Sequence, residues 1–303
     1  MKIAITGADG FIGRPLSVRL AAAGHDVRRL VRRAPRGAHE VAWDPVAGTI
    51  DRAALAGVEG VVHLAGASIA GGRWTAARRA LVRDSRIAPT RLLAETLATL
   101  SPRPRVLVSA SATGIYGDRG DEWLDESSSA GTGFLAEVAR AWEGAAAPAA
   151  RAGIRVAHPR TGLALAPNGG ALAAMLPLFR LGLGGPLGSG RQWWSWIALE
   201  DAVGAIVHAL GHEDVRGPFN VVAPAPARCA AFAHALGAAL RRPAILPAPA
   251  FALRLVLGAG QADELLLAGQ RVRPAVLERT GFAFAAPELG PALAAMLRRP
   301  GAA

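Results

Sequence analysis

Cysteine, lysine and tyrosine occur once each in this chain of 303 residues, as Cys229, Lys2 and Tyr116. One cysteine excludes a disulfide framework and any site with several cysteine ligands, and it suits a reducing compartment. No secretory leader is expected, because Met1 and Lys2 run straight into an apolar stretch too short for one. The longest uncharged run, Thr161 to Phe179, carries Pro167, Asn168, Gly169, Gly170 and Pro177, a composition that does not make a membrane-spanning helix. These absences lead to the expectation of a soluble, cytoplasmic protein with neither membrane nor metal among its partners. Acidic residues are the scarcer charge, 23 against 34 basic ones, giving a net charge of +11 that is nearly all arginine. The arginines are scattered through an alanine- and glycine-rich chain, which reads as compositional bias. No arginine-rich tail, zinc finger or RNP-like aromatic motif is present, so nucleic acid is not an expected partner. Small anionic ligands such as nucleotides remain compatible with a basic surface.

What is present starts at the second residue. Lys2-Ile-Ala-Ile-Thr6 has strand length, Gly7-Ala-Asp-Gly10-Phe-Ile-Gly13 is a glycine-rich turn, and a helical pattern follows through Ile12, Leu16 and Leu20. A strand, a tight turn and a helix N-terminus suit a dinucleotide pyrophosphate, because glycines let the backbone approach and the helix start offers free N–H groups. The candidate cradle is Gly7, Gly10, Phe11, Ile12 and Gly13. The spacing is one residue longer at the first gap than G-x-G-x-x-G. A second strand over residues 24–31 ends at Arg32-Arg33, where such a unit reads the adenosine ribose. Two arginines and no acid there favour NADP(H) over NAD(H), with Arg32 taking the 2′-phosphate.

Further strands are expected at 40–43, at 60–66 ending in a glycine turn, at 106–109 and 154–158, and a final one at 219–222. Leu64-Ala65-Gly66 and Ser109 lie where strand ends face the cofactor crevice. His63, inside an apolar strand, reads as a core histidine. Thr75 is expected to cap a helix reaching about Leu100, kinked or broken at Pro89. Ala110 to Gly117 reads as a small, flexible, hydroxyl-rich loop at the crevice. The expected architecture is α/β: a Rossmann doubly wound parallel sheet with helices on both faces and a smaller, mostly helical C-terminal lobe. Residues 1–165, completed by elements around 198–223, form the nucleotide-binding domain; residues 166–197 and 224–303 form the lobe, ending in a helix over 288–299.

The order of these motifs resembles the extended short-chain dehydrogenase/reductases. Thr6-Gly-x-x-Gly-x-x-Gly13, Leu64-Ala-Gly66, the Ser/Thr loop ending in Tyr116-Gly117, and Arg160 carry the resemblance. Arg73-Trp74-Thr75, Ser85-Arg-Ile-Ala-Pro-Thr90, Trp142-Glu143, Trp194-Ser-Trp-Ile197, Arg271-Val-x-Pro274 and Gly281-Phe282 narrow it to an atypical branch, the sugar-nucleotide-epimerase-like "epimerase family" proteins. The resemblance implies a nicotinamide cofactor and a small-molecule substrate, and by analogy of fold alone it admits a homodimer. Ordinary relatives use a Tyr-x-x-x-Lys pair for acid–base work. With one tyrosine, one lysine and Gly120 four residues after Tyr116, this chain lacks that dyad. Phe134 and Val138 are read as standing on the corresponding helix face.

The candidate catalytic groups are therefore Ser111, with Thr113 behind it, and Tyr116 if Arg160 or the ribose lowered its pKa. Asp121 and Glu126 are weighed as proton carriers against a role bracing their loop. Arg160 reads either as a clamp for a substrate carboxylate or phosphate, or as half of a structural ion pair. Trp193, Trp194 and Trp196 read as a pocket floor, or Trp194 and Trp196, alternating in one short strand, read as packing between lobes. The expected function is an NADP(H)-dependent oxidoreductase or epimerase on a small carbonyl or hydroxyl compound, including a nucleotide sugar. A cofactor-binding redox sensor without turnover is the alternative.

Overall fold

The computed structural model describes residues 1–298. Five parallel strands build its centre: β1 (Lys2–Thr6), β2 (Asp26–Val31), β3 (Glu40–Asp44), β5 (Gly60–His63) and β6 (Val106–Ser109), with the short β4 (Thr49–Ile50) antiparallel to β3. Ile3, Ala4, Ile5 and Thr6 are all buried, as a strand covered on both faces requires. β7 (Ser111–Ala112), β9 (Arg155–Thr161) and β13 (Gly217–Val221) complete a nine-stranded sheet in the order β13-β9-β6-β5-β1-β2-β3-β4, with β7 beside β9. The order reverses between β1 and β5. A crevice therefore opens at the C-terminal ends of these two strands, beside Gly7 and Leu64.

Helices cover both faces. α1 (Gly13–Ala22) and α6 (Leu199–Gly211) bury Leu16, Leu20 and Ile206 against Ile3, Ile5 and Phe219. α2 (Ala76–Ala98) and α4 (Ala147–Arg151) bury Leu93, Leu97 and Ala149 against Ala4, Val61 and Leu107, while α3 (Phe134–Ala145) packs on α2. The C-terminal region has its own core around Leu172, Phe179, Trp196, Phe232 and Leu293. It contains α5 (Gly170–Arg180), α7 (Cys229–Leu240), α8 (Ala250–Leu257), α9 (Ala259–Ala262), a π-helical turn (Asp263–Leu267), α10 (Ala275–Arg279) and α11 (Leu289–Leu297). Three small strand pairs accompany it: β10 (Leu163–Ala166) with β12 (Trp196–Ala198), β11 (Trp193–Trp194) with β14 (Ala227–Arg228), and β8 (Trp123–Leu124) with β15 (Arg271–Val272), the last joining it to the segment before α3.

Four expectations need correction. Pro89 neither breaks nor ends α2, because the helix is packed on α3 and α4 and Pro89 itself is buried. β9 does not stop at His158 but continues through Pro159 and Arg160 to Thr161. Pro159 is tolerated because β6 pairs up to Ala157 and β7 resumes at Arg160, so neither contributes a ladder partner opposite the proline. Residues 110–117 are not a flexible loop: β7 pairs with β9, and a 3₁₀ turn covers Thr113–Tyr116. Trp194 and Trp196 do not alternate in one strand; they belong to β11 and β12, which pair with different partners. Residue 299, the end of the expected last helix, lies outside the described residues, as do residues 300–303.

Candidate functional site

The glycine turn is built so that its glycines cannot be exchanged. Gly7 has φ +67°, and a Cβ there would lie 2.9 Å from the carbonyl carbon of Leu64. A Cβ on Gly13 would lie 2.0 Å from the Gly7 carbonyl oxygen. The first turn of α1 therefore sits directly against the end of β1. No side chain caps this helix and no acidic residue occupies its first turn. An uncapped helix start with a bare glycine edge is a receptor for a phosphate group. Gly10 and Gly66 are exposed, and Gly7, Phe11, Ile12, Leu64 and Ala65 are half-buried, so all seven stand at the crevice. The Phe11 ring lies against Gly169 and Gly170, where added Cβ atoms would fall 2.5 and 3.0 Å from it. Ser109 differs: it is fully buried, and its hydroxyl finds no partner among the described residues.

At the end of β2 the two arginines divide. Arg33 is held by Glu40, with Nη1 to Oε2 at 2.7 Å, and Arg29 reaches the same carboxylate at 2.8 Å. The Arg33 hydrogen bond and the backbone N–H of Arg36 hold Glu40 down to about 2. Arg32 is exposed, forms no ion pair with another described residue, and lines a surface hollow with Val31, Ala42, Trp43 and Asp44.

Beyond the crevice lies a cleft of about 230 Å³ between α2, α3 and the C-terminal region. Val82 and Arg86 of α2, Thr113, and Leu135, Val138, Ala139 and Trp142 of α3 form one side; Trp194, Glu264 and Gln270 are among those on the other. Phe134 does not line it but packs edge-on against Trp74. The α3 residues that line the cleft form two pairs four apart, Leu135 with Ala139 and Val138 with Trp142, and neither supplies a tyrosine and a lysine. The C-terminal region grips this helix: Glu264 accepts the N–H groups of Phe134 and Leu135 at 3.1 and 2.8 Å.

Beneath the cleft runs a buried polar chain. Ser111 Oγ donates to Glu143 Oε1 at 2.6 Å. Glu143 and Arg160 form a two-pronged ion pair, with Nε to Oε1 at 2.9 Å and Nη2 to Oε2 at 3.0 Å. Arg160 Nη1 donates to the Tyr116 hydroxyl at 3.0 Å, and Tyr116 donates to Asn220 Oδ1 at 2.7 Å. Burial pushes Glu143 upward, but the Arg160 hydrogen bonds and charge outweigh it and leave the carboxyl below the usual range. Burial pushes Tyr116 up despite Arg160.

This chain corrects several expected roles. Tyr116 is fully buried, and burial raises its pKa, so the lowering by Arg160 that a catalytic role needs is not present. Arg160 is half of a structural ion pair, not a clamp in the cleft. Ser111, on β7, donates its hydrogen bond to Glu143, and Thr113 is among the hydroxyl residues that line the cleft, with Thr161 and Ser195. Trp196 is fully buried and donates to the Ala225 carbonyl, whereas Trp194 lines the cleft and packs on Phe232. Asp121 and Glu126 brace loops: Asp121 accepts from Trp193 and Arg228, and Glu126 accepts the N–H groups of Asn220 and Val276. His63 is a satisfied core histidine between the hydroxyls of Thr6 and Thr90, and burial pulls it down to about 4.

Arg86 went unsingled in the sequence, although a signal was there. Val82, Arg86, Thr90, Leu93 and Leu97 share one face of α2, and an arginine in an otherwise core-facing stripe is out of place. Glu143 is the other omission, a carboxylate beside the buried Trp142 on the same helix.

Comparison with known proteins agrees with this geometry. The model of the NAD dependent epimerase/dehydratase family matches residues 3–222, and that of a domain of unknown function matches residues 248–296. An epimerase family protein of Mycobacterium bovis is 46% identical over 299 residues, covering 99% of this chain and 98% of its own. The crystal structure of the human epimerase family protein SDR39U1 with NADPH superposes with a TM-score of 0.91 at 35% identity, covering 98% of this chain and 99% of that one. A nucleoside-diphosphate sugar epimerase from Corynebacterium glutamicum gives a TM-score of 0.80 at 39% identity, over 98% of this chain and 58% of that one.

Proposed function

The chain belongs to the NAD dependent epimerase/dehydratase family, and on that footing we propose that it is an NADP(H)-dependent oxidoreductase or epimerase acting on a small carbonyl or hydroxyl compound. The observation that carries the reading is the glycine cradle. Gly7 and Gly13 touch backbone where a Cβ cannot fit, and the helix they open is uncapped, so the edge is kept bare for a ligand. Gly7, Gly10 and Gly13, with the backbone of Phe11 and Ile12, would hold the pyrophosphate. Leu64, Ala65 and Gly66 would wall the crevice. Arg32, unpaired beside a neutralised Arg33–Glu40 couple, would take the 2′-phosphate and make NADP(H) the preferred form. The NADPH in the human relative's crystal supports this choice. When bound, the nicotinamide supplies or accepts a hydride.

The chain's own contribution to the chemistry is positional. Thr113 offers a hydroxyl at the cleft wall to orient a substrate oxygen. The apolar α3 face excludes water. The Ser111–Glu143–Arg160–Tyr116 chain fixes the turn that presents Thr113. Removal and return of a hydride at one carbon would give epimerisation without net redox change, in keeping with the sugar-nucleotide epimerase among the structural relatives. Titration with NADPH and NADH, followed by a screen of small carbonyl compounds for NADPH oxidation, tests the reading. Absence of binding by either nucleotide would sink it. An α3 face that offers the cleft neither tyrosine nor lysine favours the sensor alternative, which requires tight binding and no turnover of any screened compound.

A further inference from the structure

Arg86 is a charge in the cleft that no acidic group among the described residues answers. It sits on α2 with its guanidinium over the Trp142 ring, Cζ 5.1 Å from the ring centre. A Cβ on Gly66 would stand 3.3 Å from the same Cζ, so the group also rests against the end of β5 where the crevice opens. One donor, Nη1, is bonded to the Val82 carbonyl at 2.9 Å. The cleft's own carboxylate, Glu264, is held by two backbone N–H groups, and Glu143 is held by Arg160 and Ser111. The other charge acting on Arg86 has the same sign: Arg78, two turns earlier, whose own Nε is buried without a partner among the described residues. Burial first, and Arg78 second, pull Arg86 down to about 10, which leaves it charged at neutral pH. A half-buried cation without a counter-charge is unfavourable until a ligand supplies one.

We infer that Arg86 is the anion receptor of this cleft, and that it takes the carboxylate of a compact, largely apolar substrate; the assignment rests on the oxidoreductase reading above. The cleft's apolar walls, among them Ile69, Val82, Leu135 and Leu163, match such a body, and its volume of about 230 Å³ matches a small one. The glycine cradle is not among the cleft's lining residues, so a dinucleotide's phosphates have their own receptor. A planar guanidinium fork fits a carboxylate edge-on.

The test uses 3-phenylpropanoate and its neutral amide as probes, measured by calorimetry on the full chain with and without saturating NADPH. Wild type should bind the acid roughly tenfold or more tighter than the amide, the scale of one charge-assisted hydrogen bond. Arg86→Met should abolish that preference and Arg86→Lys should keep part of it, with melting of each unliganded variant confirming that it folds. Equal binding of acid and amide by wild type, or a preference that survives in Arg86→Met, overturns the inference. Parallel titrations with NADPH and 2′,5′-ADP separate the sources. If Arg86→Met weakens NADPH but not 2′,5′-ADP, the anion belongs to the cofactor and the substrate assignment is overturned. If wild type binds no NADPH, the oxidoreductase reading itself has failed, and that titration alone reports it.

Discussion

Arg160→Met is the sharpest test of the buried chain beneath the cleft. The substitution keeps much of the side-chain volume and removes three hydrogen bonds, two to Glu143 and one to Tyr116. The side chains of Arg160 and Glu143 are only 9% and 15% exposed, so the carboxylate left behind cannot be rescued by water. Stranding one member of a buried pair costs about 3–5 kcal/mol. For a chain of this size that is a fall in melting temperature of roughly 5–10 °C. The pH dependence makes the prediction stricter. In wild type the Glu143 carboxyl lies below its ordinary 4.5, so its contribution is present above that value and is lost as pH falls through the folded-state pKa. In Arg160→Met the largest opposing influence is gone, and burial, countered only by the Ser111 hydrogen bond and His158, pushes the same carboxyl upward, so lowering the pH protonates it and relieves the variant. The stability gap, measured by urea unfolding, should therefore be largest near pH 7 and shrink toward pH 4.5. Replacing both partners, Arg160→Met with Glu143→Met, should cost less than Arg160→Met alone. A gap below about 1 kcal/mol at pH 7, or one that stays constant between pH 7 and 4.5, would refute the role given to this pair.

Three further outcomes follow from the site. Arg32→Ser should weaken NADPH roughly 10- to 100-fold while leaving NADH nearly unchanged, as fluorescence titration of both nucleotides will show. Gly13→Ala drives a Cβ to 2.0 Å from the Gly7 carbonyl oxygen, so calorimetry should detect no binding of either nucleotide, and unfolding should show a loss of about 1–3 kcal/mol. His63 is neutral in the fold, held down to about 4 by burial, and takes a proton near 6.5 when unfolded. Wild type should therefore lose on the order of 3 kcal/mol between pH 6.5 and pH 4 from this group, and a His63→Gln variant should show a flatter acid limb in denaturant unfolding.

The parts of this protein that were legible in the sequence are those governed by local rules. The first strand, the glycine turn and α1 are contiguous, and their chemistry needs nothing from elsewhere. The buried reading of His63 followed from its apolar neighbours. On α3, Val138 lines the cleft as read, but Phe134 turns to Trp74 and Leu135 stands in its place, because a helical face fixed by spacing alone lacks the partner that sets its rotation. Tyr116 and Arg160 looked like site residues because they lie near the ends of crevice strands. Which way they turn is decided by distant partners: Arg160 by Glu143, 17 positions away, and Tyr116 by Asn220, 104 positions away. Arg86 was hidden for a related reason: an arginine in an arginine-rich chain draws no attention until its neighbours are seen to be Trp142 and Gly66.

The grip of the C-terminal segment on α3 has a bearing on how this chain can be divided. Glu264 holds the first turn of α3, β15 extends β8, Glu126 ties Asn220 to Val276, and Gln261 accepts the backbone N–H of Trp74. The boundary between the two matched family models, between residues 222 and 248, is thus a seam of ancestry and not a mechanical joint. Cutting there would free an edge strand, uncap a helix and open the cleft on one side. The nucleotide-binding half is no cassette to be lifted out and fused elsewhere. A swap of C-terminal segments between relatives would have to carry the partners of Glu264 and Gln261 with it.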